Sequence, residues 1–389
     1  MEYTDNNLVL ENVQNPQSTK IRKIIESDWD DNISPCNKGI ILKPFSSDIQ
    51  DAQVIYPSKI NEIIEVEPVS VQPLLVSNNV NSEYIHKPFM EANTIQVEFN
   101  HLRNDCIIPV FSKDNEKTIA HQEFIEIAQN CISNAFPNHS LEKPEIRVSH
   151  QIKGRTPEAI HKNVKDLLDN EKTQYFERMA FIIRIPSIVD NINGNEIALT
   201  IGGVRSYNLE NLYNKKSFEK FKFFIGFQNK VCCNLCVWSD GFVDDMRVSS
   251  YQELQSKISA VIQNYNAEKH LMEMKEFSKH SLTEHQFAQL IGRTRLYQHL
   301  PKNEKSIIPN LNFTDGHINT IAKDYFEDVS FSRNEQGDIN LWNVYNLFTQ
   351  ANKSSYIDTF LDRNVNAFDF TQGIQKALIG NGDYHWFLS

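Results

Sequence analysis

The sequence predicts an α+β fold: antiparallel β-hairpins with helices, followed by a helical C-terminal third. Three observations lead there. Two apolar runs, 179–185 and 196–204, flank a turn over 191–195 that holds Gly194, which is a hairpin signal. From about residue 249 the apolar residues recur at helical spacing behind capping signatures. No βαβαβ alternation occurs, which argues against a doubly wound parallel sheet.

Taken in order, residues 1–85 stand apart. They hold one glycine, no long amphipathic period, valine–proline phrases such as EVEPVSVQPLLVSNN, and a net charge of −6 up to Val80. A stretch that buries so little apolar surface reads as an acidic, mostly flexible arm. Its alternative is a small subdomain with strands over 60–66 and 69–76. The rest divides into a mixed, hairpin-rich domain over 86–248 and a helical region over 249–389 packed on it. In the first, Phe124, Ile127, Ala128, Cys131 and Ile132 form a helical stripe over 120–136, stopped by Pro137. Residues 145–152 alternate as a strand. Thr156-Pro157-Glu158 is a start signal for a helix to about Leu168. Beyond the hairpin, the runs 221–227 and 231–238 pair around Gln-Asn-Lys, and Asp240-Gly241 closes them with a turn. In the helical region, Ser250 with Glu253 opens one long helix to about Phe277, and Ser281 with Glu284 repeats the signature. Asp315 caps a helix over 318–326. Leu341, Val344, Tyr345 and Phe348 share one face of the next helix, and another begins over 356–361.

Composition excludes several classes. With 389 residues, 40% hydrophobic and 23% charged, the chain can form a sizeable core and is neither wholly disordered nor a rod. A net charge of −11 excludes a histone-like cationic coat, though not a local basic groove. The start, MEYTDNNLVLENVQ, lacks the basic and apolar regions of a secretory signal, and no run approaches the ~18 apolar residues of a membrane span. Six cysteines at irregular spacing read as reduced thiols of a cytoplasmic protein with no membrane partner.

The search for chemistry is mostly negative. GxxxxGK[ST], GxGxxG, GxSxG and HExxH are all missing. Cys232, Cys233 and Cys236 lack a second CxxC and read as buried strand cysteines, with Cys233, Leu235 and Val237 on one face and Cys232, Asn234 and Cys236 on the other. No catalytic set, metal or cofactor is expected. The most informative stretch is basic and aromatic. Residues 203–230 carry a net +4, with Arg205, Lys215, Lys216, Lys220 and Lys222 interleaved with Tyr207, Phe221 and Phe223. Lys220 and Lys222 share one strand face, Phe221 and Phe223 the other. An exposed face of Lys, Arg and Tyr suits phosphates and stacked bases. The plainer alternative is a solvated face of an amphipathic strand with its aromatics in the core. Lys153 and Arg155 flank Gly154 beside the expected helix start at Thr156, where a phosphate would be held. The candidate nucleic-acid-binding residues are therefore Lys153, Arg155, Arg205, Tyr207, Lys215, Lys216, Lys220 and Lys222.

Several phrases are recognisable as wholes: NDCIIPVFSKDNEKTIAHQEFI from Asn104, PEIRVSHQIKGRTPEAIHK from Pro144, YFERMAF from Tyr175, IGGVRSYN from Ile201, FQNKVCCNLCV from Phe227 and ANKSSYIDTFLDR from Ala351. Together they resemble domain-of-unknown-function family 3871 of Bacteroides-group bacteria, from about residue 89 to the C-terminus. More distantly, Val231-Cys232-Cys233-Asn234 followed by Leu341-Trp342-Asn343-Val344-Tyr345-Asn346 is similar to the phage/plasmid-like family 932, except that Leu235 stands where that family has glycine. The resemblance implies a mobile-element setting and supplies no catalytic residues. The expected function is a non-enzymatic nucleic-acid-binding accessory protein of such an element, one that binds or anneals single-stranded DNA, with a homo-oligomer left open. The alternative is a regulatory or protein-binding factor, concerned with host defence or maintenance, that makes no nucleic-acid contact.

Overall fold

A computed structural model describes residues 88–108, 118–159, 161–207 and 218–389. The expected arm over 1–85, with its alternative strands, lies outside the described residues, as do Lys215 and Lys216. The fold is α+β, as the sequence predicts. Seven strands form one antiparallel sheet: β1 (Ile95–Val97), β2 (Glu145–Arg155), β3 (Lys172–Ile192), β4 (Asn195–Ser206), β5 (Glu219–Asn229), β6 (Leu235–Cys236) and β7 (Phe242–Val248). They lie in the order β1-β2-β3-β4-β5, with β6 and β7 both paired to the far edge of β5. The hairpin read at Gly194 is the centre of this sheet. Asn193 and Gly194, at φ +48° and +81°, make its turn, and Ile192 pairs with Asn195.

The helices are α1 (Phe99–Asn104), α2 (His121–Ala135), α3 (Tyr251–Asn264), α4 (Ala267–Phe277), α5 (Glu284–His299), α6 (Lys302–Lys305), α7 (Asp315–Glu327), α8 (Leu341–Ala351) and α9 (Ile357–Leu378). One face of the sheet offers Phe181, Ile183, Ile201, Phe221 and Phe223 to a continuous core that also takes in α2, α3, α4 and α8. Helix α2 approaches closely because β4 has no side chain at Gly203. A Cβ there would sit 2.5 Å from the Phe124 ring and 2.7 Å from the Lys222 carbonyl. The opposite face offers Ala180, Ile182, Val204 and Phe224. It is covered by Phe89, Met90 and the first turns of α9 through Ile357, Phe360 and Leu361. Strands and helices of 88–389 fall within one unit and share the larger core.

Local competition shifts several expected elements. The helix expected from Thr156 is instead three 3-10 turns, Pro157–Ala159, Val164–Asp166 and Asp169–Glu171. The Asn163 side chain accepts from Lys165 N and the Glu171 carboxylate from Leu168 N, so side chains take up backbone donors that a helix would use. Val164 and Leu168 remain exposed, leaving no apolar stripe to pay for helix formation. The long helix expected over 251–277 breaks at Tyr265. Asn266 caps a new helix by accepting from Lys269 N at 2.9 Å. Ser250 caps α3 as expected, with Glu253 N donating to it at 3.3 Å. Ser281 instead enters a two-stranded ladder, Ser281–Leu282 against Ile339–Asn340, so the cap of α5 moves to Thr283 with Gln286. Thr314, one residue before Asp315, caps α7 with His317.

Candidate functional site

Strand alternation decides where the basic segment points. Ile201, Gly203 and Arg205 lie on the face of β4 that α2 covers. Arg205 is therefore 1% exposed, not presented to solvent as expected. Its guanidinium donates to the Glu219 carboxylate and to the Ile119 carbonyl. It lies 4.3 Å over the Phe221 ring and 4.6 Å over Tyr207. Glu219 in turn accepts from Ile119 N at 3.1 and 3.2 Å. The ion pair thus grips both backbone polar groups of the residue that leads into α2. Burial pushes the Glu219 carboxyl up, against the pull of Arg205. Tyr207 is buried as well, stacked on His121 at 4.3 Å and edge-on to Tyr175 at 6.0 Å. Two expected surface residues are thus core residues.

Lys220 and Lys222 do share the opposite face from Phe221 and Phe223, but α9 lies over that face. Lys222 Nζ sits 2.7 Å from Asp244 and 2.6 Å from Asp362. Burial presses its ammonium pKa down, and the bonds to the two carboxylates more than offset this and raise it. One turn earlier on α9, Asp358 accepts from Ser206 Oγ and lies 2.9 Å from Arg178 Nε. Asp358 and Asp362, at i and i+4, are the acidic face by which α9 docks on a basic strand surface. Lys220 is half-buried and forms no ion pair among the described residues, although its charge helps to lower the Asp245 carboxyl, where the Arg247 hydrogen bond acts most. On β2, Lys153 is exposed, while Arg155 donates to the Lys162 carbonyl; the helix N-terminus expected beside them is absent. Lys153 and Lys220 stand on β2 and β5, with two strands between them.

Sequence reasoning missed a second constellation. The turn after β5 docks on α8 through asparagines. Asn234 Nδ2 donates to the Asn346 carbonyl at 3.0 Å and to its Oδ1 at 3.3 Å; Asn229 Nδ2 donates to the same Oδ1 at 3.4 Å. Asn346 Nδ2 bonds the Trp342 carbonyl at 2.9 Å. Lys353, 3% exposed, donates to the Cys232 carbonyl, and its own carbonyl accepts from Glu91 N and Ala92 N. The phrases FQNKVCCNLCV, LWNVYN and ANKSSYIDTFLDR thus meet in space. Their recurring asparagines were the signal available in the sequence.

The cysteine faces follow the expected alternation from Leu235 on: Leu235 and Val237 enter the smaller core, Cys232 and Cys236 the larger. Cys233 instead turns the chain at φ +58°. Burial pushes the Cys232 thiol up to about 12 and Cys236 up as well, so neither is a thiolate at neutral pH. Among the described residues no group of three or more His, Cys, Asp or Glu side chains is placed to hold a metal ion. None of their helices is long and apolar enough to cross a membrane.

No curated protein and no solved structure matches the chain. One family model does, over residues 71–388, and it spans the sheet, the docked helix α9 and the asparagine-tied turn. The chain belongs to that family, described as "Domain of unknown function, B. Theta Gene description (DUF3871)".

Proposed function

We propose that this chain is a non-enzymatic regulatory or protein-binding factor that works in the cytoplasm, in the mobile-element setting suggested by the resemblance of its sequence. One observation carries the reading: three of the four described cations of the basic segment are paired with carboxylates. Arg205 is paired with Glu219, Lys222 with Asp244 and Asp362, and Lys230 with Glu196. Cations neutralised by neighbouring carboxylates release few counterions on meeting a phosphate backbone. A second reading, single-stranded DNA binding or annealing, is supported by Lys153 and Lys220, which form no ion pair among the described residues, together with Lys215 and Lys216 in the sequence. Fluorescence anisotropy with a labelled single-stranded oligonucleotide at low salt separates the two. The first reading expects no salt-sensitive binding. Binding that weakens with salt, strengthens on deletion of residues 1–85 and is lost when Lys153, Lys215, Lys216 and Lys220 are changed to Glu would establish the second.

A further inference from the structure

The sequence holds two Asn-Gly pairs, Asn193-Gly194 and Asn381-Gly382. Such a pair carries its own reagents: the glycine N–H, with no side chain to shield it, can attack the side-chain amide carbon of the asparagine before it. Both pairs are exposed, yet the fold treats them differently. Asn193-Gly194 forms the tight turn between β3 and β4, closed by the pairing of Ile192 with Asn195. Gly194 N donates to Asn191 Oδ1 at 3.0 Å, so the nitrogen that would attack is held by another group. Ring closure would also rotate the Asn193 peptide out of a turn set by φ values of +48° and +81°.

Asn381-Gly382 follows the end of α9, where Gly380 N donates to the Ala377 carbonyl at 3.1 Å and Asn381 N to the Lys376 carbonyl at 2.8 Å. Those bonds fix the chain as far as Asn381 N. The Asn381 side chain and Gly382 N form no hydrogen bond among the described residues. Beyond them a 3-10 segment over Asp383–Phe387 docks back on α9. The Tyr384 ring fills the space at Gly373, where a Cβ would sit 2.4 Å from it, and the Phe387 ring meets Phe370 edge-on at 4.9 Å. Gln289 Nε2 and Arg293 Nε of α5 donate to a Ser389 oxygen at 2.5 and 2.7 Å. The second Asn-Gly pair is thus the joint between the end of α9 and this docked segment.

We propose that Asn381 is a site of spontaneous deamidation, and that its conversion loosens residues 383–389 from α9 and α5. Gly382 N bonds to Asn381 Cγ, the bond from Cγ to the side-chain nitrogen breaks, and ammonia leaves with the proton of Gly382 N. Water then opens the cyclic imide at either carbonyl, which gives aspartate or isoaspartate at that position. The only co-reactant is water. Either product places an anion at the C-terminal end of α9, the pole that favours cations. Isoaspartate also routes the main chain through the side-chain carbon and lengthens the joint. The inference goes beyond the function proposed above and does not depend on it.

The full chain is kept in warm, mildly alkaline buffer, and peptide mass spectrometry follows both asparagines. In the folded chain Asn381 is expected to convert about fivefold faster than Asn193, the effect of one hydrogen bond on the attacking nitrogen. In urea the two rates should converge, because unfolding frees Gly194 N. Asn191→Ala, which removes the acceptor of Gly194 N, should speed Asn193 in the folded chain. Amide exchange over 383–389 is expected to be faster in the aged chain than in the fresh one, and unchanged by ageing in Asn381→Gln. Equal rates in the folded chain, a rate difference that survives in urea, or an Asn193 rate unmoved by Asn191→Ala overturns the assignment of the site. Exchange that stays the same after Asn381 has converted overturns the loosening.

Discussion

Arg205 shows what one buried side chain can impose. A guanidinium with almost no exposed surface is tolerable when groups such as Glu219, the Ile119 carbonyl and two ring faces replace its water. Changing Arg205 to Met is expected to lower stability by about 3–5 kcal/mol, since it leaves the Glu219 carboxylate buried and unpaired. The double change Arg205→Met with Glu219→Leu should recover part of that loss but not all, because the polar groups of Ile119 then lack partners. Urea titration of the single and double variants measures both. Three histidines give a second prediction at this scale. Burial lowers His121 to about 3, with Arg205 adding to the effect; it lowers His270 to about 3, and His317 to about 4, with Arg363 adding there. Below the ordinary value of 6.5 the unfolded chain takes up protons that the folded chain refuses. The stability these groups allow is therefore fully present above pH 6.5 and is lost as pH falls toward 4, by up to about 4 kcal/mol per unit for three sites. Glu219 and Asp362, raised by burial, act in the opposite sense, but near the carboxylate range. Unfolding midpoints between pH 7.5 and 5 should fall, and His317→Gln should flatten the slope.

Among elements, α9 decides the character of the second sheet face. Burial raises Asp362, Lys222 pulls it back, and the nearby Asp244 charge adds to the rise, so one lysine serves two carboxylates. Asp362→Asn should therefore cost little, under about 1 kcal/mol, because Asp244 still holds Lys222. Asp362→Lys places like charge against Lys222 and should cost about 2 kcal/mol or more, with faster amide exchange in α9 than in β3 or β4. Elements with a strong local period were readable in the sequence: the stripe of α2, the Gly194 hairpin and the face of α8. Boundaries set by local side-chain bonds were not, as the 3-10 turns after Thr156 and the break at Tyr265 show. The alternation of Lys220 to Phe223 was read correctly. What covers the lysine face was not, because Asp362 lies 140 residues away in sequence and no local pattern announces it. Arg205 was misplaced for the same reason, since the strand pattern gives its face but not the helix that lies on it.

For the molecule as a whole, this arrangement ties early and late sequence together. Ser206 meets Asp358 across 152 residues, and Lys353 joins the turn at Cys232 to the backbone at Glu91 and Ala92. Such long separations make folding wait for loop closure and slow it. During synthesis the strands leave the ribosome well before α9. Until that helix arrives, Ala180, Ile182, Val204 and Phe224 lack the cover of Ile357, Phe360 and Leu361 and form an incompletely covered apolar surface on the sheet. The nascent protein is in that interval a natural client for chaperones. A message broken anywhere before Ile357 would leave the cell holding a chain permanently stopped at this stage.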